Sequence, residues 1–201
     1  KNKWLGIVQT NLEELANAPL DIRNNKEFML EAIKLQPASL HFAHEDLQDN
    51  EEVVLAAIEQ NIDCFSFASD RIKDSKEFVL LAVKRDGRAL NEASERLQDD
   101  REVVLAAIEE LGYAFAYASS KLKDDKEIAL AAFNRDSKAF FDFSERLLKD
   151  DEFVFETVKD KLKELKKSSS LDGSYQYNSV MSLIKSSSKE LHARLLEYVK
   201  K

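Results

Sequence analysis

Residues 47–60 read LQDNEEVVLAAIEQ, and residues 97–110, fifty positions later, read LQDDREVVLAAIEE. The similarity extends beyond these stretches, because residues 47–96 align with residues 97–146 without a gap and are identical at 26 of 50 positions. Identity of this extent in an ungapped alignment indicates an internal duplication. Duplications of this length are typical of repeat proteins, in which each copy forms one supersecondary unit.

A shorter period, half as long, lies within each fifty. A Leu or Ile recurs at every twenty-fifth position, and an alanine follows ten positions later in the first five copies. The positions are Ile22, Leu47, Ile72, Leu97, Leu122 and Leu147, with Ala32, Ala57, Ala82, Ala107 and Ala132. Only two prolines and four glycines interrupt the chain, which favours helix nearly everywhere. We therefore expect an all-α fold, an α-solenoid of about six stacked short helical hairpins with a C-terminal helical cap.

Two residues after the opening Leu or Ile, the first five units carry an Asn or Asp with a Glu three residues later, as at Asp99 and Glu102. This spacing is that of a capping box, in which the first side chain accepts a backbone N–H and the Glu reaches back. We expect a first helix of about eleven residues to begin there and a second helix of about nine residues to follow. Apolar residues three apart, such as Phe65 and Ala68, mark the buried side of the second helix.

Large and smaller apolar residues alternate at two core positions, which accounts for a period of fifty rather than twenty-five. Because cores are packed to near-crystalline density, a large residue facing a smaller one conserves volume. We predict direct contact in five pairs: Phe28 and Leu40, Val53 and Phe65, Phe78 and Leu90, Val103 and Phe115, and Ile128 and Phe140.

The two ends of the chain depart from the repeat. Residues 1–167 are expected to form the repeat array, in which residues 1–21 are a degenerate or truncated repeat. Residues 168–201 are expected to contain a turn or linker at 168–174 and then two helices, the last of them capped by Ser187 and Glu190.

Charge and cysteine content exclude some functions. The chain carries 30 Lys and Arg against 38 Asp and Glu, a net charge of −8, so nucleic acid would be repelled. The apolar runs are too short to span a membrane, and the lysine run near residues 159–167 is interleaved with acids, as on a solvated face, so we expect no membrane partner. A single cysteine, Cys64, fits a reducing compartment.

The unit consensus resembles a known repeat family. It consists of an opening Leu, then Asp-Asp-Lys-Glu-Val-Val-Leu-Ala-Ala-Ile, then Ala-Phe-x-x-Ala-Ser-x-x-Leu, and residues 97–108 match it well. It is similar to the domain of unknown function 4116 repeats over roughly residues 22–165, whereas the segment Arg23-Asn24-Asn25 and the unit at Leu147 depart from the pattern. The resemblance implies a host-directed, effector-like bacterial protein, with secretion into the host cytoplasm as one expected location. It transfers no catalytic residue.

Residues with catalytic or metal-binding potential occur in patterns that favour structural roles. His41 and His44 lie three apart, but no third ligand stands at a recognisable spacing, and Cys64 occupies a small core position. The paired acids Asp99-Asp100 and Asp124-Asp125 lie at predicted caps, and the recurring serines Ser69, Ser94, Ser119 and Ser144 are interpreted as small packing or surface residues. We therefore expect no catalytic residue, no metal and no cofactor, and a protein that is not an enzyme by itself.

One position varies in a way that core positions do not. Twenty residues into successive units the chain has Phe42, Phe67, Glu92, Tyr117 and Asp142, and His41 precedes the first of these. Aromatic residues are favoured anchors at protein interfaces, so we predict a partner-binding surface formed by these residues along the second helices. The competing interpretation is that each aromatic ring simply packs on the next hairpin.

Two functional hypotheses follow from the sequence. The chain is either a scaffold that binds another protein, for example one from a host cell, or an accessory or regulatory domain of a larger enzyme whose catalytic domain lies outside this sequence. A catalytic motif elsewhere in the full-length gene product would favour the second hypothesis.

Overall fold

The computed structural model describes residues 2–167 and 171–200. Contacts between Cα atoms divide the chain into two compact units, Lys1–Leu97 and Gln98–Lys201, which are described separately below as the N-terminal and C-terminal units. Every regular element in the described ranges is a helix. The predicted all-α repeat fold, of the α-solenoid class, is confirmed.

Each repeat consists of a first helix, a six-residue 3₁₀ helix and a short four-residue α-helix. Six copies of this order occur in the described residues. They are Asn2–Thr10, Leu12–Asn17 and Leu20–Arg23; Lys26–Leu35, Pro37–Phe42 and Glu45–Gln48; Glu51–Ile58, Ile62–Phe67 and Asp70–Lys73; Lys76–Arg85, Gly87–Glu92 and Glu95–Gln98; Arg101–Glu110, Gly112–Tyr117 and Ser120–Lys123; Lys126–Arg135, Ser137–Asp142 and Glu145–Leu148. We number them repeats 1 to 6. The first copy, Asn2–Arg23, contains all three elements and includes most of the segment predicted to be a degenerate or truncated repeat.

The second part of each repeat differs from the predicted nine-residue α-helix. Its first six residues form a 3₁₀ helix, and the next residue, for example Ala43, is extended at φ −63° and ψ 153° and ends it. In a 3₁₀ helix residues three apart lie on the same side, so the spacing of Leu40 and Ala43 buries both. The extended residue then redirects the chain into the four-residue α-helix.

The core contains every residue of the five predicted volume-compensating pairs. All ten are buried, and within each repeat the first helix packs against the 3₁₀ helix. Rings of successive repeats also meet, since Phe65 and Phe78 have ring centroids 5.9 Å apart. The pairwise contacts within each repeat remain a prediction.

The helix caps lie one residue later than predicted. Asp100, not Asp99, precedes the first helix of repeat 5, and its carboxylate accepts the backbone N–H groups of Glu102 and Val103. The same role falls to Asn25, Asn50, Ser75 and Asp125. Glu102 therefore lies too early to close a capping box, although a negative charge in the first turn still suits the helix dipole.

In repeats 3 to 6 a hydrogen-bonded cluster, here called the repeat latch, ties the short helix to the preceding repeat, and the acid of this cluster is the residue that was predicted to be the cap. In repeat 5 the Ser119 hydroxyl donates to Asp99 at 2.6 Å, and the Ser119 N–H donates to the Gln98 carbonyl at 2.9 Å. Lys121 donates to the same carboxylate at 3.0 Å. Equivalent latches join Ser69 and Arg71 to Asp49, Ser94 and Arg96 to Asp74, and Ser144 and Arg146 to Asp124.

These serines have a second role, because each also caps a short helix. The Ser119 oxygen accepts the Leu122 N–H at 3.2 Å while its hydroxyl proton bonds Asp99. The prediction that the recurring serines are merely small packing or surface residues was therefore wrong. One hydroxyl both starts a helix and joins two repeats, which explains why a serine recurs at the same place in repeats 3 to 6.

The C-terminal segment contains three longer helices, Asp151–Lys167, Leu171–Ser187 and Lys189–Lys200. Residues 168–170 of the predicted linker lie outside the described residues, and residues 171–174 begin a helix rather than forming a turn. The last helix is capped by Ser188, whose oxygen accepts the Leu191 N–H at 3.2 Å, and not by Ser187. Ser188 also donates to Asp151 at 2.7 Å, which ties this helix to the end of the array.

Candidate functional site

The two neighbouring histidines serve different structural purposes. His44 precedes the short helix of repeat 2, and its Nδ1 accepts the Asp46 N–H at 3.3 Å. His41 is exposed and contacts two phenylalanine rings. Among the residues that the structure describes, no group of three or more His, Cys, Asp or Glu side chains is placed to hold a metal ion. Cys64 is buried, and burial raises the pKa of its thiol.

The lysines near the end of the array are engaged with neighbouring groups. Lys159 pairs with Glu156 at 2.5 Å and Lys161 with Glu164 at 3.0 Å. Lys163 lies over the Tyr198 ring, with Nζ 4.9 Å from the centroid. No helix within the described ranges is long and apolar enough to cross a membrane.

In the N-terminal unit, the predicted partner-binding residues form a small aromatic cluster. The exposed His41 ring lies 4.9 Å from the Phe42 ring and 4.7 Å from the Phe67 ring of the next repeat, measured between centroids. Both phenylalanines are partly exposed. The cluster therefore combines the two interpretations, because the rings pack on each other across repeats and still reach the surface.

Glu92 and Asp142 occupy the same repeat position as the predicted aromatic residues. An acid occurs at this position where the residue nineteen positions earlier is a lysine. Glu92 lies 3.6 Å from Lys73, whose ammonium group also donates to the Ser66 carbonyl at 2.7 Å. At the equivalent place in the C-terminal unit, the charge of Lys123 acts on Asp142. Where this earlier residue is not a lysine, the position is aromatic, as at Phe67, which follows Gln48. Part of the variation along the predicted surface thus reflects internal charge pairing.

The C-terminal unit contains a pocket of about 450 Å³ lined by three aromatic rings and four polar side chains, here called the aromatic pocket. Tyr113 and Phe141 come from the 3₁₀ helices of repeats 5 and 6, and Tyr175 comes from the helix Leu171–Ser187. Their side chains are 49%, 45% and 71% exposed, although large apolar surface is normally buried. Lys138, Asp142, Gln176 and Ser179 complete the lining.

Local contacts hold this pocket in place. Gln176 accepts a hydrogen bond from the Ser137 hydroxyl at 2.8 Å, which fixes the helix carrying Tyr175 against repeat 6. Tyr113 packs edge to face with Tyr117, one turn away, at 5.7 Å between centroids. Of the predicted partner-binding residues, Asp142 therefore lines the pocket and Tyr117 lies beside it.

Asp142 has an unusual environment for a carboxylate of this chain. Burial raises the pKa of its carboxyl group above the ordinary value, and the charge of Lys123 opposes this effect only in part. The latch residue Asp124 shows the opposite shift, because hydrogen bonds from Ser144 and Arg146 lower its pKa. Within residues 2–167 and 171–200, no donor forms a hydrogen bond with the Asp142 side chain.

The sequence-based prediction named none of the three rings of the pocket. Tyr113 stands where other repeats have Ala38, Asp63, Arg88 and Lys138, so an isolated aromatic substitution was its only signal. Tyr175 lies outside the repeats and could not be aligned with them. Phe141 was not among the predicted partner-binding residues either, although a large apolar residue at this position departs from His41 and its counterparts.

The repeat order, the latches and the absence of strands in the described residues define a tandem helical-repeat protein. The sequence model of the family described as "Domain of unknown function (DUF4116)" matches residues 7–48, 25–73, 75–123 and 125–171. These matches cover most of the chain, which therefore belongs to this family. No curated protein and no solved structure matches it.

Proposed function

We propose that this chain is a protein-binding scaffold whose partner contacts the aromatic side chains presented by the 3₁₀ helices and, in the C-terminal unit, by the helix Leu171–Ser187. The observation that carries the proposal is the exposure of Tyr113, Phe141 and Tyr175 around one pocket. The cluster of His41, Phe42 and Phe67 supports a second contact surface in the N-terminal unit. Aromatic residues contribute a large part of the binding energy at many protein interfaces.

The family resemblance, which implies a host-directed bacterial protein, makes a host-cell protein the preferred partner, acting in a reducing compartment. The accessory-domain alternative uses the same surfaces, with a catalytic domain of the same polypeptide as the partner. A catalytic motif elsewhere in the full-length gene product would favour a partner domain on the same polypeptide over a separate host-cell protein.

The test compares affinity capture by the wild-type chain and by single alanine variants at His41, Tyr113 and Phe141. Truncation of an interface aromatic commonly costs about 2 kcal/mol, or about thirtyfold in affinity. Leu81→Ala is the matched control, because Leu81 is 60% exposed but lies on a first helix. We expect the wild type and the Leu81→Ala variant to capture the same protein. At least one of the three alanine variants of the aromatic surface should fail to capture it while keeping the melting temperature of the wild type.

The partly exposed rings need a separate comparison of binding and stability. Phe42→Ala, Phe67→Ala and Tyr117→Ala are expected to weaken capture of the same protein more than they lower the melting temperature. Loss of stability with capture intact would identify these rings as packing residues. Equal loss of capture in Leu81→Ala would indicate nonspecific adhesion and would refute the proposal.

A further inference from the structure

The Asp142 carboxylate limits which kinds of ligand the aromatic pocket can bind favourably. It is partly buried, and no described donor bonds to it. A purely apolar side chain filling the pocket would remove further water from this charge without compensation, which is costly. An anion would meet the same charge with repulsion. A ligand that carries N–H donors and a positive charge avoids both penalties.

The rings lining the pocket favour the same ligand. Cations bind over aromatic faces, and the planar guanidinium group of arginine stacks on rings more readily than an ammonium group does. The chain itself contains this combination. Arg194 lies 3.7 Å from the centroid of the Phe155 ring and donates to Glu152 at 2.8 Å.

We propose that the aromatic pocket receives an arginine side chain of a protein partner, with the guanidinium group against Tyr113, Phe141 and Tyr175 and bonded to Asp142. This inference rests on the proposed protein-binding function and specifies the side chain recognised. The net charge of −8 adds a general attraction for a basic partner segment.

Lys138 provides an independent criterion, because it also lines the pocket and carries a charge that opposes a cation. Replacement of this lysine by a neutral residue should tighten arginine binding by several-fold. For an anionic ligand the same change would weaken binding, and for an uncharged ligand it would have little effect. The sign of the change therefore reports the charge of the ligand.

The experiment uses the full 201-residue chain and two synthetic pentapeptides, acetyl-Gly-Ser-Arg-Ser-Gly-amide and the same peptide with citrulline in place of arginine. Citrulline keeps the shape of arginine and removes its charge. Calorimetry measures affinity, and NMR shifts of the tyrosine rings report the location. The arginine peptide is expected to bind about tenfold more tightly than the citrulline peptide, as a partly desolvated cation–π contact implies.

Variants then assign the contacts. Asp142→Asn and Tyr175→Leu should each weaken the arginine peptide by about tenfold. Lys138→Met should tighten it. Glu110→Gln is the control, because Glu110 is exposed at the end of the first helix of repeat 5, does not line the pocket and should leave binding unchanged. Circular dichroism verifies that all variants are folded.

Equal affinity for the two peptides, absence of binding by both, or weaker binding in Lys138→Met overturns the arginine assignment. None of these outcomes affects the capture test of the proposed function, which depends on a folded partner and a different set of variants. Conversely, failure of the capture test with arginine-selective peptide binding would remove the scaffold proposal and retain the pocket.

Discussion

Gly112 lies where repeats 5 and 6 approach each other closely, and its substitution tests the packing directly. A Cβ atom at this position would lie 2.6 Å from the Asp136 Cβ and 2.8 Å from the Asp136 backbone nitrogen. Optimal carbon contacts are about 3.5–4.0 Å, so the added methyl group must displace backbone rather than a flexible side chain. Overpacking of this kind costs about 1–3 kcal/mol.

Gly6→Ala is the matched control for Gly112→Ala, because nothing lies within 4 Å of a Cβ at Gly6, inside the helix Asn2–Thr10. Alanine is favoured over glycine in a helix interior by up to about 1 kcal/mol, so this variant should be more stable than the wild type. Urea denaturation followed by far-ultraviolet circular dichroism measures both changes. A Gly112→Ala variant as stable as the wild type would refute the close approach of repeats 5 and 6.

Three further predictions concern caps, protonation and core volume. Asp125→Ala should lower stability by about 1 kcal/mol through loss of a cap, and thermal denaturation should show a midpoint about 2–4 °C lower. Hydrogen bonds from serine, and then from arginine or lysine, lower the pKa values of the latch carboxylates. Their contribution to stability is therefore complete above the ordinary Asp pKa of about 3.9 and is lost as the pH falls through the lowered values. The urea concentration at the unfolding midpoint should therefore decrease when the pH is lowered below about 4. A midpoint that stays constant down to about pH 2 would contradict this prediction. The double variant Val103→Phe with Phe115→Leu should be more stable than the sum of its two single variants predicts, and additive urea midpoints would exclude volume compensation at this pair.

Periodicity predicted the repeats and the core, because a position that recurs in every repeat must meet the same environment each time. It did not distinguish an α-helix from a 3₁₀ helix in the second part of the repeat. The three-residue spacing of Phe65 and Ala68 is compatible with an α-helix and with a 3₁₀ helix. The segment Ile62–Phe67 is too short for its apolar residues to distinguish a period of 3.6 residues from one of 3.0. The extended residue Ala68 ends the 3₁₀ helix, and an alanine side chain does not predict an extended conformation.

The cap register was ambiguous for a related reason. Two polar residues stand side by side at each junction, as at Asp99 and Asp100, and either can cap a helix. The choice depends on the preceding four-residue helix, which takes the first acid into its own C-terminal end and leaves the second in the extended conformation that a cap requires. The partner of the first acid, Ser119, lies twenty residues away and depends on how repeats stack.

The candidate site was predictable only where it belongs to a repeat. Asp142 and Tyr117 were visible as departures from a column of equivalent positions. Tyr175 reaches the pocket because the helix Leu171–Ser187 docks on repeat 6 through Gln176 and Ser137, a contact between residues 39 positions apart. Composition and local spacing contain no information on such a docking.

The repeat latch also has a consequence for how this gene can change in length. Each latch uses an acid at the start of one copy and a serine twenty residues on, so recombination in register between two copies recreates it. Loss of residues 49–98 would join Gln48 to Asp99 and restore the dipeptide found at 98–99. Loss of a single copy would keep the latch but bring together core residues of the wrong alternating size. Genetic exchange that preserves both features therefore adds or removes copies two at a time.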